Sequence, residues 1–366
     1  MSLNQRSADD NLVDCRSSGH YETVLIFKIM GFIRALFYLF LIVFTAIVSV
    51  AGYYAYTALK HKNPDTVLVK IPKGSSVRDI AARLKEENVI KDPYVFEAYL
   101  RVSEESGKLK AGEYEFEAGL GFDEIVVKMI EGRVKIYQFT VPEGYSIPGV
   151  CKILVEKKLM DEKTCHDKSR SVALLKDLAG AATLEGYLFP ETYTYDSEST
   201  PAGVFKAMVD MFYAKAGAER VKKAKDKGMT LHELVTLASV IEKETGQASE
   251  RPLIAGVFLN RLKIGMPLQS DPTTIYGLPH FNGNLTRRDL ETDTPYNTYT
   301  RKGLPGGPIC NPGLAALDAV LTPSPTKALY FVAKGDGSHY FSTTLGEHNQ
   351  AVRYYQLKQG PAPQGN

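Results

Sequence analysis

A short segment near the middle of the chain carries the residue types that could move a proton. Residues 230–245 read TLHELVTLASVIEKET and have the apolar spacing of a helix. Thr230 and Glu233 have the Thr-x-x-Glu spacing of a capping box, so the helix is predicted to begin after Thr230. Gly246 is the residue type that ends helices in a left-handed conformation. The predicted helix therefore carries two glutamates in its last turn.

These two glutamates point in different directions on a helical wheel. Glu242 falls within the apolar stripe, whereas Glu244 falls on the side of Glu233. A carboxyl group in an apolar stripe is costly to ionise, so the pKa of Glu242 is expected to be raised. Such a group can act as a general acid towards a glycosidic oxygen. The open alternatives are exposure to solvent or pairing with Arg251 or Arg261. The stripe comprises Leu231, Leu234, Val235, Ala238, Ile241 and Thr245.

Polar and aromatic residues gather in loops on both sides of this helix in the sequence. A second predicted helix ends at Gly265, and the residues up to 271 form a polar turn after it. Residues 291–313 are rich in Tyr, Asn, Pro and Gly. Loops on a rigid scaffold are favoured places for ligand contacts, and rings alternating with amides and carboxyl groups suit a sugar-binding cleft. Each of the chosen residues could instead serve a turn or the core. The residues predicted to position a substrate are Gln269, Asp271, Tyr296, Asn297 and Glu191.

Residues 35–59 form an apolar run without a single charge. A helix of about 20 apolar residues crosses the hydrocarbon core of a bilayer, so this run predicts one transmembrane helix retained as an anchor. A cleaved signal peptide is disfavoured because the run is long and no clear small-x-small cleavage site follows. Basic residues are not enriched before the run, so the positive-inside rule leaves the orientation open. Residues 1–23 are predicted to be a disordered cytosolic tail.

Two segments after the anchor repeat one pattern at an offset of 70 residues. Residues 71–90 and 141–160 each read as a strand end, a Pro-x-Gly turn, a Ser N-cap and a short amphipathic helix. This unit resembles the LysM module, a small domain that binds N-acetylglucosamine polymers. The alternative is a small α/β spacer that packs on the next domain.

Composition narrows the classes of partner and chemistry. The net charge of +2, from 44 basic and 42 acidic residues, lacks the basic excess of a nucleic-acid-binding protein. Cys151 and Cys165 could form a disulfide if this part is exported, or all four thiols could stay unpaired. Residues 324–327 fit the Ser-x-x-Lys motif of acyl-serine enzymes, but its Ser-Asp-Asn and Lys-Thr-Gly partner motifs are missing. The seven histidines lack the spacing of a His-x-x-x-His metal site.

Eight short blocks match a known family in their order: LEGYLFPETY, ASVIEKET, SER, VFLNRL, GMPLQSDPT, YNTY, GLP and CNPG. Residues 64–358, together with the anchor, resemble the endolytic murein transglycosylase (MltG or YceG-like) family. The resemblance implies a membrane-bound enzyme that cuts the β-1,4 bond between N-acetylmuramic acid and N-acetylglucosamine and leaves 1,6-anhydro ends. It also implies that the first Glu of the Glu-Lys-Glu-Thr block, Glu242, is the catalytic acid. Gly306 departs from the family, which usually has a second Pro there.

The predicted fold class is α+β. The expected partners are peptidoglycan glycan strands, the membrane and, from the resemblance, cell-wall synthases; no cofactor, metal or nucleic acid is expected. A non-enzymatic peptidoglycan-binding scaffold at the membrane is the alternative function. If Glu242 is the acid, Glu242→Gln should abolish cleavage and Glu244→Gln should matter much less.

The predicted order of domains along the chain is a cytosolic tail (1–34), a transmembrane helix in the cytoplasmic membrane (35–59), a LysM-like subdomain (64–140), an external catalytic domain (141–358) and a disordered tail (359–366).

Overall fold

The computed structural model describes residues 15–176 and 180–363, with side chains from residue 25 onward. Part of each predicted tail, residues 1–14 and 364–366, lies outside these ranges. The chain divides between Lys135 and Ile136 into two compact units. Both units combine helices with two-stranded antiparallel sheets, which confirms the mixed α+β class.

The first unit begins with helix α1 (Cys15–Leu59), of which residues 25–59 are long and apolar enough to cross a membrane. The helix starts well before the predicted span and includes part of the segment that was predicted to be disordered. Lys28 and Arg34 interrupt the apolar run without interrupting the backbone hydrogen bonds of the helix. Hydropathy therefore locates the span but not the start of the helix.

The rest of the first unit is a small α/β body. Strands β1 and β2 pair antiparallel, with Ile71 opposite Gly112. Ser76 caps α2 as predicted, because its hydroxyl accepts a hydrogen bond from the backbone N–H of Asp79 at 3.2 Å. The LysM-like ligand preference of this unit stays a prediction. Its elements are β1 (Val67–Ile71), α2 (Val77–Glu86), α3 (Pro93–Val102), β2 (Gly112–Phe116) and α4 (Phe122–Glu131).

The second unit is mostly helical and contains two further sheets. Its first half comprises β3 (Tyr137–Thr140), α5 (Ile147–Glu156), α6 (Glu162–Ser169), β4 (Thr192–Tyr195), α7 (Pro201–Asp226) and α8 (Leu231–Glu244). Its second half comprises α9 (Arg251–Lys263), α10 (Asp271–Gly277), α11 (Arg287–Glu291), α12 (Leu314–Leu321), β5 (Tyr330–Ala333), β6 (His339–Ser342) and α13 (Leu345–Tyr355). Short 3₁₀ turns precede β4 and α9. The long helix α7 is broken at Gly217, whose φ is 67°.

The boundary between the units differs from the predicted one at residues 140 and 141. Strand β3 belongs to the second unit because it pairs with β4, more than 50 residues later, a partner that the local sequence pattern does not reveal. The second copy of the repeat does form the predicted strand, turn and helix, with Ser146 at the N-cap of α5. A disulfide joins Cys151 in α5 to Cys165 in α6.

Helix α8 lies in the core of the second unit, where it packs against α7, α9 and α12. The predicted capping box is present, with the hydroxyl of Thr230 accepting from the backbone N–H of Glu233. Every residue from 234 to 241 is buried, including the polar Thr236 and Ser239, so this part of the helix is buried on all sides rather than on one stripe. The helix ends at Glu244 and Gly246 stands at the predicted C′ position, but Gly246 does not take the left-handed conformation, because the chain is already extended at Thr245, with φ of −142°.

Candidate functional site

Glu242, the residue predicted to be the acid, is held in an ion pair. Its side chain is only 4% exposed, and one carboxylate oxygen accepts a hydrogen bond from Arg251 Nη2 at 2.8 Å. The other oxygen accepts from the backbone N–H of Gly313 at 3.0 Å. Both oxygens thus have donors, and one donor is a cation, which is the setting of a structural carboxylate. The alternative of pairing with Arg251 is therefore confirmed, and the catalytic role of Glu242 stays a prediction.

A third charged group, Glu143, extends this ion pair into a cluster. Its carboxylate lies 4.0 Å from Arg251 Nη2. Burial and the nearby charge of Glu242 raise the pKa of Glu143, while Arg251 opposes that rise. A Cβ atom at Gly313 would lie 1.8 Å from Glu143 Oε1, so any side chain at this position would displace the Glu143 carboxylate. The cluster ties the end of α8 to the start of α9 and to the loop before α12.

Glu244, two residues further along α8, lies in a different environment. Burial raises the pKa of its carboxyl group to about 7, with a smaller contribution from the negative charge of Asp271. The hydroxyl of Ser270 donates a hydrogen bond to Glu244 Oε1, and this bond and the more distant charge of Arg261 oppose the rise. A group with that pKa keeps its proton in about half of the molecules at neutral pH.

Glu244 borders an open groove of about 510 Å³, which we name the Glu244 groove. The groove lies between the end of α8, the loop before α10, the β5–β6 hairpin and α13. Arg261 holds this frame together, because its Nη1 donates to the carbonyl of Leu268 and its Nε to that of Leu329, both at 2.6 Å. The lining includes Glu244, Arg261, Gln269, Asp271, Tyr299, Tyr330, His339 and His348.

Two of the five predicted substrate residues line the Glu244 groove. Gln269 has an exposed side chain and a φ of 49°, a left-handed conformation that is uncommon for a residue with a side chain. Its backbone N–H donates to the carbonyl of Thr298 at 3.1 Å, which fixes the turn. Asp271 accepts a hydrogen bond from the Tyr299 hydroxyl at 2.6 Å. The predicted polar turn therefore does border a groove, but it is the groove beside Glu244.

Tyr296, another of the five, lines a second groove of about 660 Å³. We name this the tyrosine groove, because the rings of Tyr276 and Tyr296 meet there edge to face with centroids 4.7 Å apart. Lys243, Pro272 and other residues of the second unit complete its lining.

The remaining two of the five predicted residues have structural partners. Asn297 is fully buried, and its side-chain amide donates to the carbonyls of Leu290 and Thr292 at 2.9 and 2.7 Å. Its amide oxygen also accepts two hydrogen bonds, so the internal partners use the full hydrogen-bonding capacity of the side chain and argue against a substrate contact. Glu191 accepts from the backbone N–H of Thr192 and pairs with Lys215 at 3.5 Å, and it lines neither groove.

Glu185, which no sequence pattern singled out, is a fully buried carboxyl group behind the tyrosine groove. Burial raises the pKa of Glu185 to about 7, against hydrogen bonds from the backbone N–H of Ile147 and the hydroxyl of Tyr276. Glu244 was expected to matter less than Glu242, although the sequence carries a signal for its burial. Leu237 and Val240 precede Glu244 by seven and four residues, so Glu244 also continues an apolar stripe.

These features define a class of protein. It is an α+β protein whose N-terminal apolar helix fits a membrane anchor, and it has a carboxyl group with a raised pKa beside an open groove. Residues 69–354 match the YceG-like family, and the chain belongs to that family. A crystal structure of a YceG-like protein from Listeria monocytogenes is 34% identical, covers 78% of this chain and 98% of its own, and superposes with a TM-score of 0.52.

Two relatives carry the same name. The endolytic murein transglycosylase of Bacillus subtilis (strain 168) is 37% identical over 309 residues, which is 79% of this chain and 85% of that protein. The endolytic murein transglycosylase of Streptococcus pneumoniae (serotype 2, strain D39) is 28% identical over 354 residues, which is 85% of this chain and 63% of that longer protein.

Proposed function

We propose that this chain is an endolytic lytic transglycosylase that cuts peptidoglycan glycan strands, and that Glu244 rather than Glu242 transfers the proton. The activity is supported by the family and by the name of its 37% identical relative. The choice of residue rests on one observation, the carboxyl group of Glu244 with a pKa of about 7 at the wall of an open groove. An acid works best when its pKa lies near the operating pH.

The proposed reaction needs one carboxyl group that acts twice. Protonated Glu244 donates its proton to the glycosidic oxygen between N-acetylmuramic acid and N-acetylglucosamine as the C1–O bond breaks. The N-acetyl group of the muramic acid stabilises the positive C1 centre. The Glu244 carboxylate then takes the proton of the C6 hydroxyl as that oxygen bonds to C1, which closes the 1,6-anhydro ring and restores the acid.

Neighbouring groups of the groove suit both halves of this cycle. When Glu244 is ionised, the Ser270 hydroxyl donates to it and the charge of Arg261 stabilises it. Burial and the charge of Asp271 favour the return of the proton. Opposing contributions of this kind place the pKa near neutrality, so that neither form is strongly preferred. Gln269 and Asp271 are the residues of the lining that we propose to position the sugar.

We further propose a cytoplasmic-membrane location, with the second unit in the periplasm or the outer wall space. The apolar helix supplies the anchor. The disulfide between Cys151 and Cys165 supports the external side, because disulfides persist in oxidising compartments. Cell-wall synthases are the partner class that the family resemblance implies.

The proposal is tested by digesting purified glycan strands with the full-length protein in detergent and identifying the new ends by mass spectrometry. We expect internal cuts with 1,6-anhydro ends from the wild type and none from Glu244→Gln. New reducing ends would instead indicate a hydrolase, for which Asp271 beside Glu244 would be the second carboxylate. Strand binding without any cleavage would indicate the non-enzymatic scaffold.

A further inference from the structure

The tyrosine groove takes no part in the mechanism proposed above, yet it is a well-formed concave site. Its volume of about 660 Å³ is within the range of small-molecule sites in proteins. Its lining differs from that of the Glu244 groove, because rings, prolines and isoleucines replace most of the charged groups. Lys243, whose Nζ lies 3.5 Å from the carbonyl of Gly144, supplies a cationic donor to it.

A buried hydrogen-bond network behind the groove holds its aromatic wall rigid. The hydroxyl of Tyr276 donates to Glu185 Oε2 at 3.0 Å. Glu185 is 2% exposed and also accepts from the backbone N–H of Ile147 and from Asn311 Nδ2. Because Tyr276 is fixed at its hydroxyl and packs edge to face on Tyr296, neither ring can move freely. A fixed aromatic surface binds ligands at a low cost in conformational entropy.

The two grooves share one wall. Lys243 lines the tyrosine groove and Glu244 lines the Glu244 groove, although the two are consecutive residues at the end of α8. In the same way, Pro272 lines the former groove and Asp271 the latter, at the start of α10. The two grooves are therefore lined by adjacent residues of the same two helix ends, which places them next to each other in the second unit.

We propose that the tyrosine groove is a second glycan subsite, which binds sugar rings of the same strand that is cut beside Glu244. The inference rests on the proposed function for the identity of the strand. Aromatic faces bind the apolar faces of pyranose rings, and Lys243 donates to sugar or N-acetyl oxygens. A subsite of this kind makes cleavage depend on strand length, since only a strand that spans both grooves gains the second set of contacts.

The test compares long stem-free glycan strands with short oligosaccharides that fill one groove. Tyr296→Ala should raise KM for long strands about tenfold, as when an aromatic contact residue is truncated, and leave KM for the short substrate unchanged. Tyr296→Phe, which keeps the ring, should retain the preference for long strands. Tyr354→Ala, an exposed tyrosine of the second unit that lines neither groove, is the matched control and should behave as the wild type. Thermal unfolding of each variant checks the fold, and Lys243→Met is the second variant if Tyr296→Ala does not fold.

Three results would overturn the subsite. An equal rise of KM for long and short substrates would show that Tyr296 has a structural role. An unchanged KM for both substrates would show that the tyrosine groove does not bind the glycan. An effect confined to strands that carry stem peptides would assign the groove to the peptide. Equilibrium binding of long and short strands to Glu244→Gln tests the subsite without turnover. If the wild type forms no anhydro ends but binding still depends on length and on Tyr296, the proposed function fails and the subsite stands.

Discussion

The two sides of the last turn of α8 have opposite chemistry, although Glu242 and Glu244 are two residues apart. On one side, Glu242 meets the guanidinium of Arg251 and the backbone N–H of Gly313. On the other side, Glu244 meets one hydroxyl, the distant charge of Arg261 and the repelling charge of Asp271. Both carboxyl groups are largely buried, so burial alone does not decide their roles. The difference lies in whether a cation touches the group.

This contrast shows how one helix end can serve structure and chemistry at once. The paired side joins α8, α9 and the loop before α12, and so holds the last turn in place. On the groove side, no cation among the described residues pairs with the carboxyl group of Glu244, which stays open to a ligand. We regard Glu242 as a positioning residue for the turn that carries Glu244.

The largest effect should come from Glu244→Gln. Removing a general acid costs about 10²- to 10⁴-fold in rate, so anhydro-end formation should fall by that factor under saturating substrate. Thermal unfolding should be little changed, because the amide is of similar size and can still accept from Ser270. A Gln variant that is folded and fully active would remove Glu244 from the chemistry.

Glu242→Gln should act chiefly on stability. Removing one partner of a buried ion pair costs about 3–5 kcal/mol in other proteins, and here Glu143, 4.0 Å from Arg251, would compensate part of the charge that is left. We expect a lower unfolding free energy in denaturant titrations and a nearly normal kcat in the molecules that remain folded. The opposite pattern, a stable protein with kcat reduced more than a hundredfold, would restore Glu242 as the acid.

The pH dependence of kcat/KM should follow the protonation of Glu244. Because the reaction starts from the protonated acid, and its pKa is raised to about 7, kcat/KM should fall about tenfold per pH unit above about pH 7. Asp271→Asn removes a charge that raises this pKa, so the midpoint should shift to lower pH. A midpoint that stays fixed in Asp271→Asn, or lies near the ordinary value of 4.5, would contradict the assignment.

The smallest and most selective contrast is between Gln269→Ala and Asn297→Ala. Gln269 contacts the groove, so its loss should raise KM a few-fold with little change in stability. Asn297 is saturated by internal partners, so its loss should cost about 1–3 kcal/mol of stability through unsatisfied buried groups. Parallel kinetic and unfolding measurements distinguish the two. Equal effects of both variants on KM would show that the hydrogen-bond saturation of Asn297 does not exclude a ligand.

Local features of this fold were readable from the sequence. The caps at Ser76 and Thr230, the apolar span and both copies of the strand–turn–helix repeat follow from short-range patterns. The polar turn at residues 269–271 was correctly expected to border a groove. These features were predictable because a few neighbouring residues determine each of them.

Long-range features were not readable in this way. A helical wheel places Glu242 in the better apolar stripe, but it does not show that Arg251 reaches back to it. The partners of Asn297 are mostly backbone groups within its own turn, which carry no signal in the side-chain pattern. The pairing of β3 with β4 likewise depends on the path of the chain between them. Leu237 and Val240 did carry the signal for Glu244.

The most direct test is an infrared difference spectrum of the full-length protein between about pH 6 and about pH 8, recorded for the wild type and for Glu244→Gln. We expect a protonated carboxyl band that is lost as the pH rises through about 7 and that is missing in Glu244→Gln. Because Glu185 has a similar pKa, Glu185→Gln is measured alongside to assign its share of the signal. A titrating band that is unchanged in Glu244→Gln would show that Glu244 does not change its protonation between these pH values, and the account of the acid would be wrong.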